Sequence, residues 1–330
     1  MTVHATHLIL ALLAGWSVAT PAWSADPLQL EARIPLGNVS GRIDHFAYNA
    51  QRHLLFVAEL GNNSVGVVDL AAGKVARRLS GLSEPQGIAW HAPTGTLYVA
   101  NAGDGSVRLY QGPDFMPAGA IALGDDADNV RLDSRRDRIV VGYGSGGLAI
   151  VDPASRKKIA DIPLKRHPES FQFDEQGQRI FANVPNAGEI AIVDVGQGKQ
   201  TSGLPLGGAR ANFPMAIDVQ NHRLLVATRS PARLLVFSTQ DSKPLAQLDT
   251  CDDSDDLLVD ARRQRVYVTC GEGVVEVFAQ NGDTYVSIGR VPTVSGARTS
   301  WFAADKDRLY VGVRAHGSEP AAIWIFRPAP

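Results

Sequence analysis

IAWHAPTGTLYVANAGDGSVRLY, residues 88 to 110, alternates strand and turn without room for a helix. Ile88 to Trp90 is a short apolar run, and APTG after it has the Pro and Gly of a tight turn. TLYVAN is β-branched and aromatic, the composition that favours a half-buried strand. AGDG then turns the chain back, and SVRLY is a third strand-like run. A fourth such run, PAGAIALG, follows after one more turn.

The same order returns along the chain, which makes the repeat the primary fact. Its copies start at Phe46, Ile88, Val130, Phe171, Met215, Leu257 and Ser300, spaced 41 to 44 residues apart. Four short antiparallel strands per copy make a propeller blade, so the chain is expected to be all-β, a seven-bladed β-propeller. Helical periodicity of ten residues or more is missing after residue 24. The seventh copy runs out after AAIWIFRP, its third strand, while LQLEARIPLG near the start matches the fourth strands of other copies. Residues 28–36 are therefore expected to complete the last blade, which removes an exposed edge and locks the ring.

TLYVANAGDGSVRLY, and more loosely LLFVAELGNNSVGVVD and RVYVTCGEGVVEVF, resemble the YVTN-type repeats of secreted bacterial β-propellers of the YncE-like group. The resemblance runs over nearly the whole chain after residue 24. It implies the propeller fold and says little about activity, because the repeat records how a blade packs. A more distant similarity links the chain to lactonase propellers of the 6-phosphogluconolactonase type, with no catalytic motif to carry over.

Residues 1–24 contain no Asp, Glu, Lys or Arg, and Leu8 to Val18 are apolar over too short a stretch to span a bilayer. Ala22 and Ser24 have the small-residue spacing of a cleavage site. This reads as a signal peptide, followed by a single propeller domain at 25–330, periplasmic or secreted and monomeric. No later segment is apolar enough to cross a membrane. With 32 basic residues against 34 acidic ones, and no basic stripe, nucleic acid is a poor candidate partner. A small polar ligand or another periplasmic protein fits better.

In a propeller the loops leading into each first strand and those joining second to third strands share one face, and function belongs to such scaffolded loops. The repeats put Asp44, His45, Gln86, Asn129, Glu169, Asn212, Asp256 and Arg298 around this mouth as the candidate ligand-binding set. Asp44, Glu169 and Asp256 offer oxygen ligands to a divalent cation, the only cofactor these residues would suit. An enzyme on the same ring, a lactonase-type hydrolase or lyase, would use His45 or Glu169 as general base with Arg298 or a metal as electrophile. The bland alternative is a wet channel whose carboxylates are balanced by arginines.

TCDDSDDLLVD carries one of only two cysteines, Cys251, with Cys270 at the end of the next strand. In an exported chain the pair is most simply a disulfide; free thiols or thiolate ligands are the alternatives, weakened by the lack of histidine in the segment. The aspartates lack the glycine and spacing of an EF-hand. GYGSGG at 142 to 147 joins two strands with no helix after it, so it is a turn and not a dinucleotide loop. GxSxG, HExxH, CxxC and CxxCH are absent. Trp90, Trp301 and Trp324 lie within strand repeats and read as packing residues.

Overall fold

The computed structural model describes residues 26–330, besides Met1; the expected leader lies, Met1 apart, outside the described residues. Seven four-stranded antiparallel sheets follow one another around a ring. Blades 1 to 6 span 46–80, 85–122, 127–163, 171–205, 210–249 and 254–292. Blade 7 takes its three inner strands from 300–328 and its outer strand, Leu28–Gly37, from the start of the chain. That strand pairs antiparallel with Ala321–Pro328, running from Leu28 opposite Pro328 to Gly37 opposite Ala321.

Blades are held by what their sheets bury between them. The third position of the second strand is bulky or apolar in every copy: Phe56, Tyr98, Val140, Phe181, Leu225, Tyr267 and Tyr310 are all buried. Each sits in a cluster shared with a neighbouring blade; Phe56, for example, packs with Leu97 and Val99 of blade 2. Both faces of each sheet are thus covered, which is why the inner strands read as continuous apolar runs rather than strict alternations.

The turns on the far face are explained by local chemistry. Asn49, Asp133, Asp218 and Asp260 end the innermost strands of their blades, and their side chains accept backbone N–H groups from Arg52, Arg135, Asn221 and Arg263. These are Asx turns. His53, Asp137, His222 and Gln264 follow with positive φ, the left-handed residue that closes them. Those acids and amides serve the backbone, so the far face is built as turn structure.

Candidate functional site

Loops leading into the innermost strands converge on the opposite face and enclose a cavity of about 340 Å³. Arg42 and His45 come from blade 1, Gln86 from blade 2, Asp126 and Asp128 from blade 3, His167, Glu169 and Asn186 from blade 4, Phe213 and Arg229 from blade 5, and Asp255 from blade 6. Close approach of the strands is part of the design. A side chain at Gly87 would fall on the carbonyl oxygen of Asp128, so glycine is what lets blade 2 lie against blade 3 here.

Asp128, His167 and Glu169 form the tightest group. Each offers one ligand atom, and these lie within 4.8 Å of one another. His167 Nδ1 donates to the Gly144 carbonyl at 2.6 Å, which leaves Nε2 facing Asp128 at 3.6 Å. Metal-ligating histidines are commonly oriented through a hydrogen bond of this kind. Burial, reinforced by the charge of Asp128, pushes the Glu169 carboxyl up to about 8. Burial opposes charge on His167, but hydrogen bonds to Asp128 and Gly144 and the nearby Asp126 outweigh it and push the ring up to about 9. Oδ1 of Asp128 is buried without a donor.

Across the cavity the charges are paired. Arg42 reaches Asp44 at 2.8 Å, and Arg229 donates to Asp255 at 2.7 Å while its guanidinium stacks 4.0 Å over the Phe213 ring. Burial and the charge of Asp44 lift Asp255 to about 6 despite both arginines. His45 is wedged between carboxylates, with Nδ1 3.4 Å from Asp256 and Nε2 3.5 Å from Asp44. Burial works against its charge, but Asp256 and Asp44 prevail and hold the imidazole up to about 10. At neutral pH it is an imidazolium.

Beneath His45 the mouth narrows into the central channel, a second cavity of about 400 Å³ that His45 also lines. No protein-family model matches the chain. Uncharacterized YncE proteins of Salmonella typhimurium and Salmonella typhi are each 21% identical to it over 238 aligned residues, covering 67% of either chain. With the seven blades above, that similarity accords with the repeats. The chain is similar to the YncE-like propellers. Among solved structures, a chain of Kuenenia stuttgartiensis hydrazine synthase matches 90% of it with a TM-score of 0.74 at 16% identity, covering 96% of that chain. A chain of a mitotic checkpoint complex matches 98% with a TM-score of 0.77 at 12% identity, covering 99% of that chain. Identities this low speak for the fold alone.

Within this propeller, similar to the YncE-like group, the expected ring residues divide. His45, Gln86 and Glu169 line the mouth. Asp44 is fully buried behind it, and Asn129 is buried with its amide 3.4 Å from His45. Asp256 turns inward to the channel, one oxygen accepting from the Ser300 N–H at 2.7 Å. Asn212 is buried away from the mouth, donating to Asn183 and to the Glu189 carbonyl. Arg298 is taken up by Asp253, to which it donates at 2.8 Å.

The cation set expected from sequence, Asp44, Glu169 and Asp256, keeps only Glu169 in the group whose ligand atoms come together; Asp128 and His167 replace the other two. Asp44 already faces Arg42, and Asp256 already holds Ser300. Sequence reasoning overlooked Arg42, Asp126 and His167. A signal for them existed. They stand two residues before Asp44, Asp128 and Glu169, the first and last of which belong to the expected ring, and in an extended loop i and i+2 point the same way. Cys251 and Cys270 are joined as a disulfide, both fully buried, with Cα atoms 5.9 Å apart.

Proposed function

We propose that this protein is a binding module that holds a small polar ligand at the mouth of the ring, with a divalent cation on Asp128, His167 and Glu169. The observation carrying this reading is the meeting of three ligand-type side chains beside a buried Asp128 oxygen that has no donor. A cation would satisfy all of them at once, displacing the protons that Glu169 and His167 otherwise retain. One imidazole with two carboxylates favours zinc, manganese or another transition metal over calcium, which prefers oxygen ligands throughout. Arg42 and Arg229 on the facing wall are already paired with Asp44 and Asp255, so that wall suits a polar ligand rather than a strongly anionic one. Export to the periplasm or medium accords with the leader and the disulfide; no helix among the described residues is long and apolar enough to cross a membrane.

The test is elemental analysis of the purified protein together with thermal melting with and without EDTA and added zinc, manganese or calcium. A native-state ligand must raise the melting temperature. We expect a stoichiometric transition metal, a fall in melting temperature on chelation, and loss of both effects in Glu169→Gln. Absence of metal binding by any of the three ions would overturn the cation.

A metal-assisted hydrolase or lyase of lactonase type is a second reading, favoured by one observation. Without a cation on it, Glu169 retains a proton up to about pH 8, which suits a general acid rather than a base; as a cation ligand it would instead be the carboxylate that holds the metal. His45, protonated between two aspartates, and Arg298, bound to Asp253, do not support the base and electrophile roles that the sequence suggested.

A further inference from the structure

The mouth is rich in acceptors, and the channel below it has the opposite character. Apart from His45, Gln172, Asp256 and Ser300, its wall is apolar or aromatic, with one strong cation, Arg131. Arg131 stands on the innermost strand of blade 3, at a repeat position where blades 1, 2 and 5 have Ala47, Ala89 and Ala216. Among the described residues no carboxylate lies within 4.0 Å of its guanidinium; it donates only to its neighbour's carbonyl, Val130 O, at 3.1 Å and reaches Ser170 Oγ at 3.5 Å. Asp256, the acid in the channel, is occupied by His45 and the Ser300 N–H.

An arginine keeps its charge in proteins, and a charge withdrawn from water without a partner is costly. Burial holds the Arg131 guanidinium below its ordinary value, against the more distant charges of Asp256 and Asp128, which pull it up. An unpaired guanidinium in a cavity of about 400 Å³, otherwise lined by residues such as Tyr48, Trp90, Met215 and Trp301, describes a receptacle for an acceptor with an apolar body.

We propose that the central channel is a second binding compartment, for a small organic anion whose carboxylate lies on the Arg131 guanidinium and whose apolar part packs among Tyr48, Trp90, Met215 and Trp301. A planar carboxylate matches the fork of the guanidinium better than a spherical ion does. The site is separate from the cation at the mouth, and its loss would leave that cation in place.

Two of the three tryptophans among the described residues, Trp90 and Trp301, line this cavity, so tryptophan fluorescence reports on it directly. The purified protein is titrated with benzoate, with benzamide as the uncharged isostere and with chloride. We expect a saturable change with benzoate, at least tenfold weaker binding of benzamide, and at least tenfold loss of benzoate affinity in Arg131→Met. Without benzoate, Arg131→Met should melt no lower than wild type, since it removes an unpaired charge. Benzoate affinity should survive Glu169→Gln, which separates this site from the mouth. No saturable change up to about 10 mM benzoate, a concentration that would expose even weak millimolar binding, overturns the proposal. So does equal binding of benzamide, or saturation by chloride to which benzoate adds nothing. If Arg131→Met does not fold, the comparison of benzoate with benzamide on wild type still decides.

Discussion

His45 shows how far surroundings can move one side chain. Its folded pKa of about 10 stands well above the ordinary 6.5, so the native state holds a proton that the unfolded chain gives up. The stabilisation from its carboxylate partners is complete below pH 6.5 and is lost as pH rises toward 10. We therefore expect the melting temperature to fall steadily from pH 6.5 to 10, and the slope to flatten in His45→Gln; an unchanged slope in that variant would show that the ion pairs do not stabilise. The repeat placed His45 and Asp256 in one ring, which the sequence could show. That they would meet each other, and that Asp44 would close the far side, depended on side-chain directions from two blades, the first and the sixth. The same limit explains why Arg298, an apparent electrophile in the sequence, is held by Asp253 instead.

Elements were read more securely than their contents. Strand and turn order follows from composition, and all seven sheets have it. The loop before blade 6 is the instructive case, since its cysteine pair left thiolate ligands open as an alternative to a disulfide. In the structure Cys251 is packed against Val266 and Val268 in an apolar cluster and bonded to Cys270, 19 positions further along the sequence. Closing a loop of that length stabilises by about 3 kcal/mol if the effect is on unfolded-chain entropy. Reduction, or a Cys251→Ala with Cys270→Ala double variant, should lower unfolding stability by about that amount in denaturant titration. No change on reduction would mean that the surrounding cluster holds the loop unaided. Asp255 and Asp253, presented by this loop, connect its rigidity to the mouth through Arg229 and Arg298.

At the scale of the whole ring, closure is made by one strand. Leu28, Ile34 and Leu36 of the N-terminal strand are buried in the last blade and at its junction with blade 1. Burying three such side chains is worth about 5 to 9 kcal/mol as an upper estimate. Deleting residues 26–37 should therefore abolish the monomeric propeller, giving aggregated or domain-swapped material by size-exclusion chromatography, because the third strand of blade 7 would become a bare edge. A monomer that melts like the full chain would refute this account of closure. The sequence by itself determined the blade count, the strand order and this closure, because each is written in local composition and in a period that repeats. Only the tertiary structure decided that Asp128, His167 and Glu169 gather at one point while Arg131 stands without a counter-ion below them. A repeat specifies which loop a residue occupies, but whether two charges from different blades meet depends on the direction each side chain takes into a shared cavity, and on which neighbour has already claimed it.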